Sequence, residues 1–283
     1  MIDQEIRICH GTLIITFRCT LKCKLCCVYA PYYKNAQDYS LAELQRSIDS
    51  FFQIIDFCEV FNIQGGEPLM HKNLPQILEH TMQYKGQVEK VLLTTNGTLL
   101  PNEELLGTLC RFRDFVQVNI SNYGPDLSKQ VPELINLLNK NRILNHMFKY
   151  YGTDMHYGGW LDFTDHTYKN LTDEELVAQC QDCGCRSSSQ FAIRGGELFC
   201  CGRNMRRVDL GIIEKNEQSC VDMFDERTVK EKRENVRVIL NAKYTPACLY
   251  CTGKRLERVH ESPAVQLTKD ELEHGVEKLD TPH

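Results

Sequence analysis

Apolar residues along this chain follow two rhythms that take turns. Five short runs, TLIITF (12–17), EVFNIQ (59–64), KVLLTTNG (90–97), FVQVNIS (115–121) and HMFKYYG (146–152), are rich in β-branched and aromatic residues and read as strands. Between them the apolar spacing stretches to three and four. SLAELQRSIDSFFQII starts at Ser40, which forms a capping box with Glu43, and it keeps Leu41, Leu44, Ile48, Phe51, Phe52 and Ile55 on one face. NLPQILEHTMQY, PNEELLGTLCRF and DLSKQVPELINLLNKN repeat the helical spacing. Strand and helix thus alternate five times in about 150 residues with no hairpin signal between the strands, the pattern of βα units on a parallel sheet.

Such a sheet closes toward a barrel or stays open, and in either case its chemistry gathers in loops at the carboxyl ends of the strands. The cysteine-rich stretch after the first strand falls there, and so do GGEP (65–68), TTNG (94–97), SNYG (121–124) and YGTDMHYGGW (151–160). The rhythm breaks near Trp160. LDFTDHTYKNLTDEEL reads as a polar linker running into a helix, and SQFAIRGGELFCCG as a hairpin turning at Arg194-Gly195-Gly196-Glu197. DERTVKEKRENVRVIL predicts a helix whose charges form a solvated face. Beyond residue 261 the chain is polar, and a frayed tail is expected. The division this suggests is a core at 1–165, a second domain at 166–260 and a tail at 261–283.

Composition narrows the function classes. The 283 residues are 42% hydrophobic and 25% charged, with a formal net charge of −5. That charge gives no basic field for nucleic acid, and no apolar run reaches the ~18 residues of a membrane span. With no export signal at the N-terminus, a cytoplasmic location is expected. The 15 cysteines are the departure from the ordinary. Five lie between Cys9 and Cys27 and eight between Cys180 and Cys251, while Cys58 and Cys110 sit alone beside apolar stretches and read as small core residues. Bunched cysteines at short spacings favour metal over disulfides.

The first bunch, TFRCTLKCKLCC, spaces Cys19, Cys23 and Cys26 as C-x3-C-x2-C. Structural zinc wants four protein ligands, usually in two short pairs. A four-iron cube wants one outside ligand per iron, so three cysteines leave one iron open. This motif after a first strand, followed by GGEP after the second and TTNG after the third, resembles the radical S-adenosylmethionine (SAM) enzymes. The resemblance implies a partial (β/α)6 TIM-like barrel of the α/β class. It implies that Cys19, Cys23 and Cys26 hold a [4Fe–4S] cluster whose open iron binds SAM, and that one electron cleaves SAM to a 5′-deoxyadenosyl radical. It implies SAM contacts at Leu25, Gly65, Gly66, Glu67, Pro68, Asn96 and Ser121. In it, Leu25 stands where many members carry an aromatic residue, Gly65 and Gly66 allow close approach of the ligand, and Glu67 accepts from or orders the ammonium region. Cys27 reads as a bystander or as a hydrogen-donating thiol.

The late cysteines, with a hairpin between their first members and a closing C-x2-C, resemble the Twitch and SPASM extensions of the same family. That likeness implies a small C-terminal domain of hairpin plus helix. It also implies an auxiliary [4Fe–4S] cluster held by Cys183 or Cys185 with Cys201, Cys248 and Cys251. Four thiolates on zinc are the alternative. Cys200 and Cys220 read as core residues. No cysteine follows Cys251, which favours one auxiliary cluster.

Hydrogen abstraction near an auxiliary cluster implies a radical SAM oxidoreductase of dehydrogenase or epimerase type, working anaerobically with an electron donor such as flavodoxin or ferredoxin. The chain begins almost at its first strand, so no leader-recognition domain is expected, and a small polar substrate of the sugar, cyclitol or amino-sugar kind is favoured. Tyr151, His156, Trp160 and Asp162 are candidates to stack on a ring and bond its hydroxyls. A peptide maturase working with a separate recognition protein, and a non-catalytic metal scaffold, are the rival readings.

Overall fold

The computed structural model describes residues 4–34, 36, 38–253, 259–275 and 279–280; the ends of the expected tail, at 276–278 and 281–283, lie outside the described residues. Eight strands form one sheet in the order β6-β5-β4-β3-β1-β7-β8-β9. Six of them are parallel: β1 (Arg7–Ile14), β3 (Phe57–Gln64), β4 (Val88–Thr95), β5 (Val116–Asn122), β6 (Leu144–Lys149) and β7 (Gln190–Arg194). β8 (Glu197–Phe199) and β9 (Cys220–Asp222) continue it antiparallel. A separate two-strand ladder pairs β2 (Tyr33–Lys34) with β10 (Leu279–Asp280). The helices are α1 (Leu41–Ile54), α2 (Leu74–Thr81), α3 (Glu103–Arg111), α4 (Val131–Lys140), α5 (Asp173–Gln181), α6 (Gly184–Ser187), α7 (Gly202–Asp209) and α8 (Val229–Asn241).

The alternation read from the sequence is therefore the fold, an α/β partial barrel around an open sheet. The central strands are buried on both faces, as parallel strands covered by helices must be, with Leu13, Phe61, Ile63, Val91 and Ile120 inside. The Ser40–Glu43 capping box forms, and α1 turns Leu44, Ile48, Phe51 and Phe52 inward. Three expectations shift. The first strand ends at Ile14, not Phe17, because the chain beyond it leaves the ladder to form the cysteine loop; Phe17 stays buried. The charged helix α8 is not simply solvated: Lys232 donates to the Met223 and Asp225 carbonyls, and Arg233 pairs with Asp56 at 2.8 Å and bonds the Ile54 carbonyl at the end of α1. The segment after residue 261 is not frayed where it is described: Leu267 N–H bonds Lys22 O, and Lys24 N–H bonds Val265 O, both at 2.8 Å.

The hairpin forms at the expected turn, with Gly195 and Gly196 both at positive φ, the two-residue geometry that suits strand twist. Its first strand supplies the sixth parallel strand by pairing along β1, His10 against Gln190 through Leu13 against Ile193. The sheet thus runs without interruption across residue 165.

Candidate functional site

Past β1 the chain stays extended and turns into the cysteine loop. Thr16 Oγ1 donates to Asp38 at 2.7 Å and accepts from Arg18 N–H, and Arg18 pairs with Asp38 at 2.8 Å. The loop then lies directly on GGEP. Gly66 N–H donates to Thr16 O and Glu67 N–H to Arg18 O, both at 2.8 Å. A Cβ on Gly65 would stand 2.3 Å from Thr16 O, and one on Gly66 would stand 2.2 Å from Arg18 O. What approaches the glycine pair is the backbone of the cysteine loop. Glycine is required there for contact between two loops of the chain itself.

Glu67 is fully buried. Its carboxylate accepts from Leu69 N–H at 3.1 Å, Thr95 Oγ1 at 2.8 Å and Asn96 N–H at 2.8 Å. Burial pushes its pKa up to about 7 against the pull of those donors. Glu67 thus orders the TTNG loop through Thr95 and Asn96, and its carboxylate is turned inward. Pro68 is buried at the start of the turn that follows. Asn96 returns to the cysteine loop: its amide donates to Thr20 Oγ1 at 3.1 Å and to Cys19 Sγ at 3.5 Å. Ser121 bonds the phenol of Tyr123, and Leu25 is half-buried on the cysteine loop.

Cys19, Cys23 and Cys26 each have a raised thiol pKa, chiefly through burial, with Cys23 at about 11; Cys23 and Cys26 also feel neighbouring thiols. Such thiols give up their protons when a metal takes the charge. Nitrogen donors already point at the sulfurs: Leu21 N–H and the Asn96 amide at Cys19, and the Gln266 amide at Cys23, 3.3 Å away. Three thiols, two of them with N–H groups on their sulfurs, suit an iron–sulfur cluster, whose thiolates accept such bonds.

The second group is more concentrated than the sequence indicated. Seven of the eight late cysteines, all but Cys220, line one cavity. Cys180 comes from α5, Cys183 and Cys185 from the start of α6, Cys200 and Cys201 from the junction of β8 and α7, and Cys248 and Cys251 from the turn after α8. Cys180 and Cys200 were missed as lining residues. Cys220 is a core residue on β9, as read. The thiols pair: Cys180 Sγ lies 3.5 Å from Cys248 Sγ, and its hydrogen bond lowers Cys248 to about 6 while Cys180 is raised.

Arginines from α6 and α7 surround this cavity, a feature the sequence reading passed over in CGRNMRR. Arg203 donates to Cys185 Sγ at 3.6 Å, and Arg207 bonds the Ala247 and Tyr250 carbonyls. The Nε atoms of Arg186, Arg203 and Arg207 are buried without a hydrogen-bond partner. An acceptor-bearing, negatively charged group in the cavity would satisfy them. Among the described residues no three His, Cys, Asp or Glu side chains converge as a single metal ion requires.

The two cysteine groups adjoin. A Cβ on Gly202, directly after Cys201, would stand 3.3 Å from Cys27 O, and Arg206 lies under the rings of Tyr29, Tyr32 and Tyr33. The expected substrate residues are only partly gathered. Trp160 meets Tyr123 edge-on at 5.5 Å and Tyr150 at 6.4 Å, and His156 meets Tyr150 at 5.6 Å. Tyr151 points elsewhere, against Gly124 and Lys149. Asp162 accepts from Thr164 N–H and Oγ1, both at 2.7 Å, in its own turn.

Comparison with known proteins agrees with this geometry. Residues 13–146 match the profile of the Radical SAM superfamily. GTP 3′,8-cyclase of Syntrophomonas wolfei is 26% identical over 166 residues, 55% of this chain and 47% of that protein. The subtilosin biosynthesis protein AlbA of Bacillus subtilis is 32% identical over 101 residues, 34% of this chain and 20% of that protein. The chain thus spans about half or less of the length of these curated relatives. The solved structure of BtrN in complex with AdoMet and 2-DOIA superposes with TM-score 0.54 at 16% identity, covering 94% of this chain and all of that one. Native anSMEcpe with bound AdoMet and Kp18Cys peptide superposes with TM-score 0.55 at 15% identity, covering 92% and 93%. At these identities the superpositions speak to the fold. The stretch that carries the cysteine motif, GGEP and TTNG at the carboxyl ends of the parallel strands, residues 13–146, is thus a Radical SAM superfamily domain.

Proposed function

We propose that this protein is a radical SAM oxidoreductase with an auxiliary iron–sulfur cluster, acting on a small polar ring compound by net two-electron oxidation or by epimerisation. The observation that carries the reading is the thiol-lined cavity beside the first cysteine loop, rimmed by three arginines whose Nε atoms are buried. When bound, the first cluster with SAM supplies the radical that removes a hydrogen atom. The chain's own residues have three tasks. Cys19, Cys23 and Cys26 hold the first cluster, and Asn96 ties that loop to the third strand. GGEP, Asn96 and Ser121 are the proposed SAM contacts. Tyr123, Tyr150, His156 and Trp160 offer aromatic faces at the carboxyl ends of β5 and β6.

Cys201, Cys248 and Cys251 are the proposed auxiliary ligands, with Cys183 or Cys185. Cys180 joins the candidates because it shares a hydrogen bond with Cys248. Protein reconstituted without oxygen is expected to hold about eight irons per chain, and the Cys19→Ala, Cys23→Ala, Cys26→Ala variant about four. The wild type should release 5′-deoxyadenosine under dithionite and the variant should not. Zinc in the late-cysteine site, or 5′-deoxyadenosine from the variant, overturns the reading.

A peptide substrate is the second reading. It is favoured by the AlbA match and by the likeness to a fold seen with a bound peptide. Deuterium passed into 5′-deoxyadenosine from labelled cyclitols or from labelled peptides decides between them.

A further inference from the structure

The segment following residue 259 forms a strap over the first cysteine loop. Upstream it is pinned by two backbone bonds, Trp160 N–H to Glu261 O at 2.9 Å and Glu261 N–H to Trp160 O at 2.7 Å. It then passes Ala264, which is 2% exposed and packs with Leu21, Cys23, Tyr123 and Trp160. At its centre Gln266 sits opposite Cys23 in an antiparallel bridge flanked by the Lys24 and Leu267 bonds. The Gln266 side chain works both ways. Its Oε1 accepts from Lys22 N–H at 2.7 Å, and its Nε2 donates to Cys23 Sγ at 3.3 Å and to Ala264 O at 2.6 Å. Through one amide it fixes the backbone before Cys23 and the sulfur of Cys23 itself.

We infer that Gln266 is a positioning residue for the first cluster: the strap holds Cys23 in place, and the amide N–H on its sulfur raises the cluster's reduction potential. Reduction adds negative charge that the thiolates share. A donor aimed at a thiolate therefore stabilises the reduced form more than the oxidised one. Asn96 makes the matching contact to Cys19 from the far side of the loop, so two of the three sulfurs carry a side-chain amide. The inference rests on Cys19, Cys23 and Cys26 being the cluster ligands.

Two variants test it in the full-length, anaerobically reconstituted protein. Gln266→Glu keeps the acceptor for Lys22 N–H and removes the donor to Cys23. Gln266→Met removes both without adding charge. The readout is a redox titration followed by electron paramagnetic resonance, using only the signal that changes when SAM is added, so the late cysteines do not interfere. Both variants should titrate at a more negative potential than wild type, Glu further than Met, with a several-fold smaller reduced fraction at a fixed solution potential. A folded variant that loses iron from the first site alone also supports the positioning role. Full iron with a wild-type potential in either variant overturns it, and if Gln266→Met does not fold, the titration of Gln266→Glu decides by itself. A wild type with no SAM-responsive signal instead sinks the ligand assignment of Cys19, Cys23 and Cys26 and takes this inference with it.

Discussion

Glu67 is a carboxyl group sealed in the fold with three donors around it, and its pKa near 7 reflects burial winning over those bonds. An unfolded chain gives up this proton near 4.5 and the folded one near 7. The folded state therefore binds more protons over that interval, and stability falls as pH rises from about 4.5 to 7. Over the interval this group contributes a loss on the order of 3 kcal/mol. Glu67→Gln in the metal-free protein should flatten that part of the stability profile, measured by urea unfolding at several pH values. Gly66 gives a second test. Its missing Cβ is the space that Arg18 O and the Cβ of Cys19 fill, so Gly66→Ala should cost about 1–3 kcal/mol by overpacking and empty the first site of iron. Gly107, exposed on α3 with nothing within 4 Å of its missing Cβ, is the control. There the same change should raise stability by roughly 0.5–1 kcal/mol, through helix propensity.

Among the elements, β7 departs most from what the pattern implied. QFAIR followed by Gly-Gly is a local hairpin signal, and the hairpin is present. Its docking along β1 is a long-range event, and nothing in those residues announces it. The pairing covers the β1 edge that βα counting leaves open, and an uncovered edge of that kind invites aggregation. A fragment of residues 1–165 should therefore be poorly soluble and lack a cooperative thermal transition, while the full chain melts in one. A fragment that melts cooperatively by itself would show that β7 is dispensable to the core. The helix α8 makes the same point through side chains: Arg233 reaches back to Asp56 and to the Gln4 carbonyl, binding the last long helix to the first strand's approach.

Across the whole molecule, the sheet and α7 bring two distant cysteine groups side by side, with the strap closing over the first. No helix among the described residues is long and apolar enough to cross a membrane. The sequence alone determined the parts that local physics controls. Strand and helix periods set the βα order, Ser40 and Glu43 a helix start, and Gly195-Gly196 a turn. Each depends on neighbours within a few residues, where spacing and conformational preference suffice. Only the tertiary structure decided that Gly65 and Gly66 are pressed by the backbone of Thr16 and Arg18, that Cys180 and Cys200 join the late thiols, and that Gln266 reaches Cys23. These contacts join segments far apart in the chain. Which of many chemically acceptable partners meet is set by how the whole sheet and its helices pack.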